Sequence, residues 1–277
     1  MSGLDVEAIQ LPGGGRALFT GRVHGNLSSV GGERAEHGLK AREDLREALG
    51  LRRLVRGYQV HGTVVGRVLA DGHRLSLPNR LGSNEDIGEA GPDGVHQPSF
   101  EPDGVRQPGF EPDGGRQPSF EPDGVHQPSF EADGHAVAAP GVAAMVLTAD
   151  CVPVVLGSEG AVAALHAGWR GLAAGVLQEG VRALREVGGQ REMVAVVGPC
   201  AGACCYEVGE EVHDAFGGSH RKGKSIDLRA IAHERLLAAG VTEVRDVEAC
   251  TICDERFFSY RREGTRAGRQ AGIAWLS

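Results

Sequence analysis

The chain has few aromatic residues and no long apolar stretch. Phe, Trp and Tyr make up 5% of its 277 residues. No apolar run approaches the ~20 residues of a membrane-spanning helix, so we expect no membrane association. The first ten residues lack the basic-then-apolar pattern of a secretory signal, which leads us to expect a cytoplasmic protein. Hydrophobic residues still form 41% of the chain, enough to fill a substantial core.

A broad excess of basic residues is also missing. The formal net charge is −8, and the stretch 91–130 holds seven acidic residues against two arginines. This stretch alone therefore accounts for five of the eight negative charges. Nucleic-acid-binding proteins usually carry a basic patch or stripe, so we expect no nucleic-acid partner.

The middle of the chain is a decapeptide repeat. Four near copies of E-P-D-G-V-H-Q-P-S-F fill residues 91–130. Two prolines and an Asp-Gly pair per copy are turn signals, and one Phe and at most one Val per ten residues cannot offset the entropy of ordering the backbone. We predict a single catalytic domain over 1–277, in which 83–130 is a low-complexity loop insertion.

Regular structure is predicted on both sides of the repeat, from apolar spacing and breaker residues. Strands and helices mix without strict β-α-β alternation, which favours an α+β fold over a doubly wound sheet. Helices are predicted over 36–49, about 170–187, 208–216 and 226–239. Strands are predicted over 54–69 (a pair broken at His61-Gly62), 142–147, 152–156, 161–165, 193–197, 244–251 and 271–276.

Three metal-capable side chains follow or end apolar runs: His61, Cys151 and His166. Three protein ligands leave a fourth position open, which distinguishes a catalytic zinc from a structural one. The alternative interpretation is a buried cysteine with two hydrogen-bonded core histidines, and the residue spacing leaves both open.

Two neighbouring features add to this hypothesis. Gly168-Trp169-Arg170-Gly171 joins a predicted strand to a predicted helix, and backbone N–H groups at a helix start favour an anion. Gly168 and Arg170 are therefore candidate substrate-binding residues. Asp150, beside Cys151, is a candidate proton carrier, although it could equally cap its loop.

Five segments resemble the YfiH family, also called multicopper polyphenol oxidase or laccase-domain proteins. They are Q-V-H-G (59–62), T-A-D-C-V-P-V (148–154), L-H-A-G-W-R-G (165–171), V-G-P-C-A-G-A-C-C-Y-E-V-G (197–209) and C-T-I-C-D-E-R-F-F-S-Y-R-R-E-G (250–264). The resemblance covers roughly 15–82 and 131–277. The repeat is foreign to the family.

The resemblance implies a layered sandwich of mixed β-sheets flanked by helices. It also implies a zinc ion bound by His61, Cys151 and His166, with purine nucleoside and phosphate as substrates. The implied activity is phosphorolysis of adenosine, inosine and methylthioadenosine, with adenosine deamination. Arg42 matches a pocket arginine of relatives, and Asn26 matches a shortened substrate-contacting segment.

Alternative functions remain open. Cys151 could be the nucleophile of a cysteine hydrolase, serving as a peptidoglycan-precursor editing factor. Copper could bind at the His-Cys-His set, but multicopper oxidation is disfavoured because no H-x-H pair is present.

Two further patterns are weaker. Residues 218–225 match the phosphate-loop pattern G-x-x-x-x-G-K-S, but a predicted helix precedes them where that motif needs a strand. Cys250 and Cys253 could join Cys200, Cys204 and Cys205 in a four-sulfur zinc site. Irregular spacing disfavours this, as does a position near a strand end, where residues three apart point to opposite faces.

Overall fold

The structure is a computed structural model that describes residues 8–28, 33–69, 75–76, 124–125, 130–190 and 192–277. In these residues the helices are α1 (Glu33–Ala48), α2 (Trp169–Ala174), α3 (Val176–Glu186), α4 (Glu210–Ala215), α5 (Leu228–Ala238) and α6 (Tyr260–Glu263). The strands are β1 (Ile9–Gln10), β2 (Gly15–Phe19), β3 (Arg53–Val55), β4 (Val65–Val68), β5 (Leu75–Ser76), β6 (Gly124–Val125), β7 (Gly134–Val137), β8 (Val142–Thr148), β9 (Val152–Ser158), β10 (Ala161–Ala167), β11 (Met193–Val197), β12 (Arg221–Lys222), β13 (Ser225–Ile226), β14 (Glu243–Asp246) and β15 (Gln270–Leu276).

Two mixed sheets form the centre of the fold. The first has the order β1-β2-β15-β8-β3-β6, and the second has the order β14-β11-β9-β10-β7-β4-β5. Antiparallel pairs dominate both sheets, but β3 runs parallel to β8 and β4 runs parallel to β7. The α+β prediction, with mixed sheets flanked by helices, is confirmed.

Three apolar clusters hold the layers together. Val146, Val155 and Ala164 belong to the cluster between the two sheets. On the outer face of the second sheet, residues of β9 and β10 pack against α3 and α5. Leu45 of α1 belongs to the third cluster, on the outer face of the first sheet. The order of layers is therefore helix, sheet, sheet, helices.

The chain crosses from the first sheet to the second at two turns close to the predicted site. One turn joins β3 to β4 and contains His61, and the other joins β8 to β9 and contains Cys151. The predicted pairing of two strands within 54–69 is wrong, because β3 and β4 lie in different sheets. Both crossings place loop residues at the same end of the sandwich.

Gly175 interrupts the helix that was predicted over about 170–187. Its φ of +100° is a left-handed conformation that glycine adopts without steric cost, and it separates α2 from α3.

At the start of α5 the side chain of Asp227 accepts a hydrogen bond of 3.1 Å from the Ala230 N–H, an N-cap.

The phosphate-loop pattern at 218–225 folds as the hairpin of β12 and β13, and α5 begins only at Leu228. Lys222 of this hairpin pairs with Asp227 rather than facing a phosphate-binding turn. The hairpin therefore lacks the helix start that this motif uses to bind phosphate.

Most of the predicted insertion at 83–130 lies outside the described residues. Of the repeat block, Gly124–Val125 form β6, which pairs parallel to β3 at the edge of the first sheet. None of the helices in the described parts of the chain has both the length and the apolar character that a bilayer crossing requires.

Candidate metal site and cavity

The structure brings His61, Cys151 and His166 together. Their ligand atoms all lie within 4.8 Å of one another. The Cys151 Sγ atom is 3.7 Å from His61 Nε2, and the two imidazole rings meet edge to face with centroids 4.8 Å apart. His166 is buried, Cys151 is half-buried and His61 is exposed. Two imidazoles and one thiol are donors that suit a zinc-like ion.

Strand geometry explains how His166 reaches this point. Along β10, Val162 and Ala164 face the layer between the sheets. His166 shares that face, because side chains two apart on a strand point the same way. Its strand partner is Pro153, two residues after Cys151. The two turns between the sheets then supply the other two donors.

Asp133, which no sequence pattern marks as a site residue, positions the donors. Its buried carboxylate lies 2.8 Å from His166 Nδ1, and it accepts the backbone N–H groups of His61 and Gly62 at 3.0 and 2.7 Å. A carboxylate on the second ring nitrogen fixes the orientation of a metal-binding histidine. Asp133 therefore positions one donor through its ring and another through its backbone.

The backbone around the donors is unusual. His61 has a φ of +60° and Asp150 a φ of +92°, a region that residues other than glycine rarely adopt. Such conformations cost about 1–3 kcal/mol each and concentrate at functional sites. A Cβ atom on Gly168 would lie 2.4 Å from His61 Cδ2, and one on Gly171 would lie 2.7 Å from the Gly62 carbonyl oxygen. These two glycines let α2 approach the His61 turn closely.

Charge is shared within the donor set. Burial alone would raise the pKa of the Cys151 thiol, but His166 and His61 lower it to about 6. Burial alone would lower the pKa of His166, but Cys151 and Asp133 raise it to about 9. At neutral pH without a metal, the pair is therefore a thiolate beside an imidazolium, and the thiolate is the form that binds metals.

This electrostatic balance predicts the reactivity of Cys151. In chelator-treated protein, the rate of Cys151 alkylation by iodoacetamide should reach half its maximum near pH 6, because the thiolate predominates above that pH. An ordinary thiol would do so near pH ~8.5. Mass spectrometry of the Cys151 peptide measures the rate. Buried Cys200, whose pKa burial raises to about 11, is the unreactive internal control. Cys151 alkylation confined to pH above 8 would contradict a Cys151 pKa lowered by His61 and His166.

The donor set opens into a cavity of about 400 Å³. Tyr58, Tyr206 and Tyr260 contribute aromatic walls, and Arg56, Arg261 and Arg269 contribute positive charge. A volume of this size suits a small organic ligand. Neither Arg56 nor Arg269 lies in a sequence motif that predicts a site residue.

Arg56 and Arg42 are two buried guanidinium groups without acidic partners. Among the described residues, neither makes a salt bridge, and Arg56 Nε and Nη2 have no hydrogen-bond partner. Burial and the nearby Arg42 lower the pKa of Arg56 to about 10. Both groups remain cationic at neutral pH. Of these two arginines, Arg56 lines the cavity and Arg42 does not, so the charge of Arg56 can act on an anion bound there.

The other predicted site residues lie as follows. Arg42 donates to the backbone carbonyls of Leu27 and Ser28 at 2.7 and 3.1 Å. The Asn26 side chain accepts the N–H groups of Ser28 and Arg269 at 2.9 Å each. Both residues thus support a cavity wall that Ser28 and Arg269 form.

Asp150 lines the cavity, but both of its carboxylate oxygens are engaged. They accept hydrogen bonds from Thr251 Oγ1 at 2.7 Å and from the Arg261 N–H at 2.6 Å. Asp150 thereby joins the Cys151 turn to the chain that leads into α6.

Arg170 is exposed, and its guanidinium lies over the Trp169 ring, 4.4 Å from the centroid.

These features define an α+β sandwich protein with a His-Cys-His site that could hold a metal ion beside a ligand-sized cavity. The chain belongs to the family described as multi-copper polyphenol oxidoreductase laccase, whose model matches residues 21–277. The resemblance to the YfiH family is confirmed.

Curated relatives match about half of the chain in sequence. The chain is 43% identical over 154 residues to purine nucleoside phosphorylase PA4543 of Pseudomonas aeruginosa. This match covers 50% of the present chain and 62% of the Pseudomonas protein. It is 40% identical over 152 residues to purine nucleoside phosphorylase YfiH of Escherichia coli, covering 50% and 60%. The matched part thus spans about three fifths of the length of these relatives.

The match to a solved structure is longer. Protein NMB0706 of Neisseria meningitidis aligns over 99% of both chains with a TM-score of 0.69 and 28% sequence identity.

Proposed function

We propose that this chain is a zinc-dependent purine nucleoside phosphorylase that acts on adenosine, inosine and methylthioadenosine and also deaminates adenosine. Relatives at 40–43% identity carry the name purine nucleoside phosphorylase. The proposal depends most on one observation: the unpaired, buried guanidinium of Arg56 lines the same cavity as the His-Cys-His donors.

His61, Cys151 and His166 would hold the zinc ion. Two imidazoles, one thiolate and the carboxylate of Asp133 behind His166 fit what this ion takes in catalytic sites. A zinc ion bound there would supply Lewis acidity to the cavity at the position that three protein ligands leave open.

Arg56 and Arg269 would bind phosphate. A guanidinium group donates paired, charge-assisted hydrogen bonds to phosphate oxygens. Burial lowers the pKa of Arg269 as well as that of Arg56, so both groups gain from an anionic partner. His135 lies near Arg56 but cannot supply a positive charge for phosphate. Burial and the Arg56 charge lower the pKa of His135 to about 3, so its imidazole stays neutral.

The tyrosines would bind the nucleoside. Bases stack on aromatic rings, and Tyr58 and Tyr260 present exposed rings at the cavity. Burial raises the pKa of Tyr206 to about 12, so its phenol stays protonated and can donate a hydrogen bond. In phosphorolysis a phosphate oxygen attacks the anomeric carbon as the base leaves, and charges held at Arg56 and Arg269 orient that oxygen.

The test compares turnover with and without phosphate. Purified protein with inosine and phosphate should release hypoxanthine and ribose 1-phosphate, identified by chromatography and phosphorus NMR. Omitting phosphate should stop hypoxanthine release, because phosphate is the nucleophile. Adenosine in phosphate-free buffer should yield inosine and ammonia, with water as the nucleophile. Hypoxanthine release that is independent of phosphate would contradict phosphorolysis.

A second candidate, a cysteine hydrolase such as a peptidoglycan-precursor editing factor, draws on the same geometry. A thiolate 3.7 Å from an imidazole also suits a nucleophile with its base. Zinc would block this nucleophile, so zinc inhibition of hydrolysis would favour the second candidate. Copper polyphenol oxidation is less favoured, because among the described residues no group of histidines forms a further copper cluster.

A further inference from the structure

A second group of metal-capable side chains lies apart from the cavity donors. It consists of Cys204, Cys205, Cys250 and Cys253, whose Sγ atoms all lie within 4.8 Å of one another. All four are free thiols. Cys253 Sγ is 2.8 Å from Cys205 Sγ and 3.5 Å from Cys204 Sγ. This four-cysteine cluster shares no residue with the His-Cys-His set.

Two turns bring the four sulfur atoms together. The Cys205 N–H donates to the Gly202 carbonyl at 3.0 Å, and the Asp254 N–H donates to the Cys250 carbonyl at 2.9 Å. A parallel bridge between Cys200 and Cys250 holds the turns side by side. The sequence argument against a four-sulfur site fails here, because Cys250 and Cys253 lie around a turn and not along a strand, so both side chains point inward.

Gly202 shapes the cluster around sulfur. Its N–H donates to Cys250 Sγ at 3.2 Å, and a Cβ there would lie only 3.3 Å from Cys204 Sγ. Backbone N–H donors stabilise a thiolate over a thiol.

We propose that Cys204, Cys205, Cys250 and Cys253 form a structural zinc site. Four thiolates close the coordination of zinc, and Zn–S bonds of about 2.3 Å at tetrahedral angles place the sulfurs about 3.8 Å apart. Two of the Sγ–Sγ distances, both 3.5 Å, lie close to that value, and the 2.8 Å between Cys205 and Cys253 would widen by about 1 Å when the ion binds. Cys204 and Cys253 are exposed, so the ion can enter from solvent.

The ion would join a loop that lines the cavity to a loop that holds a cavity residue in place. Tyr206, which lines the cavity, follows Cys205 directly. Thr251, whose hydroxyl donates to Asp150 at 2.7 Å, follows Cys250 directly. A link across 48 residues of sequence would fix Tyr206 and the Thr251 contact to Asp150 relative to each other, and its binding free energy would add to folding stability.

Elemental analysis of single variants tests the site. The purified chain should hold about two zinc ions, one for each donor set. Cys253→Ser and Cys151→Ala should each reduce the content to about one, and the double variant should hold none. Cys200→Ala is the matched control, because this buried thiol adjoins the cluster but is not part of it. It should keep the full content.

Cobalt substitution covers the case in which Cys253→Ser misfolds. Co²⁺ added to metal-free Cys151→Ala protein should give the intense sulfur-to-cobalt absorption of a four-thiolate site. Zinc content that falls to zero in Cys151→Ala alone would overturn the proposal. So would a Cys205–Cys253 disulfide in protein purified under reducing conditions. Neither result depends on phosphorolysis, so this proposal and the proposed activity can fail separately.

Discussion

Replacing Cys151 by alanine is expected to abolish phosphorolysis of inosine and to empty the His-Cys-His site. Removing a residue that only orients a metal ligand costs about 10–100-fold in metal affinity. Loss of the direct ligand should therefore cost more than ~100-fold, since His61 and His166 alone leave two coordination positions without protein donors. Steady-state assays and zinc titration of the chelator-treated variant measure the two effects.

Asp133→Asn gives a graded comparison. It keeps the size of the side chain but removes the charge behind His166 and one acceptor for the N–H groups of His61 and Gly62. Zinc affinity should fall within the range of about 10–100-fold for an orienting residue, with activity restored at high zinc. Full phosphorolysis activity in a folded, metal-free Cys151→Ala protein would contradict the proposal that the reaction requires a metal ion.

Cys151→Asp separates the two candidate functions. A carboxylate is a zinc ligand but cannot replace a thiolate as the nucleophile of a cysteine hydrolase. If the chain is a zinc enzyme, Cys151→Asp should regain part of the metal binding and turnover that Cys151→Ala loses. A cysteine hydrolase would remain inactive in both variants, whatever the zinc concentration.

The three donors could be found from the sequence because each is a metal-capable residue at the end of an apolar run. Their convergence could not, because it depends on two crossings between sheets. The apolar residues of β3 and β4 predict strands, but they contain no information on which sheet each strand joins. A pair of strands in one sheet and two strands in separate sheets have the same hydrophobic pattern.

Asp133 and Arg56 show a second limit of local patterns. Asp133-Gly134 resembles a turn signal, yet the aspartate is fully buried and organises the donors. Arg56 follows a strand, where a charged residue normally marks the solvated end. It is nevertheless buried, and the charged or polar groups near it, Arg42 and His135, come from α1 and β7. The four-cysteine cluster is disfavoured by the sequence pattern for a related reason, since the pattern predicts a strand end where the chain makes a turn.

Replacing Arg56 by methionine is expected to weaken phosphate binding while making the protein more stable. Hydrogen bonds to charged groups contribute about 1.5–3 kcal/mol, which corresponds to a rise of about 10–100-fold in the KM for phosphate. The unpaired guanidinium is also buried beside Arg42, and an apolar side chain of similar length removes both the desolvation and the repulsion. The free energy of unfolding should rise by about 1–3 kcal/mol.

Arg67→Met is the matched control, because Arg67 is an equally buried arginine on β4 that has acidic partners. Its Nε donates to Glu186 at 2.7 Å, and Glu179 lies 2.7 Å from its Nη2. Removing it takes the buried cation away from Glu179 Oε1 and from Glu186, while Arg182 still donates to Glu179 Oε2 at 2.8 Å. The free energy of unfolding should therefore fall by up to about 3 kcal/mol, with an unchanged KM for phosphate. Urea denaturation and initial rates at varied phosphate measure both quantities for each variant.

The two substitutions are expected to change the free energy of unfolding in opposite directions, and this difference distinguishes a ligand-binding arginine from a structural one. A buried charge that serves only the fold is compensated in the free protein, as Arg67 is by carboxylates and Arg42 by backbone carbonyls, and its loss is destabilising. A buried charge kept for a ligand lacks a partner until the ligand binds, so the fold gains when it is removed and binding loses. An Arg56→Met protein that is less stable and binds phosphate normally would place Arg56 with Arg67, as a structural residue, and would take away the main support for a phosphate site in this cavity.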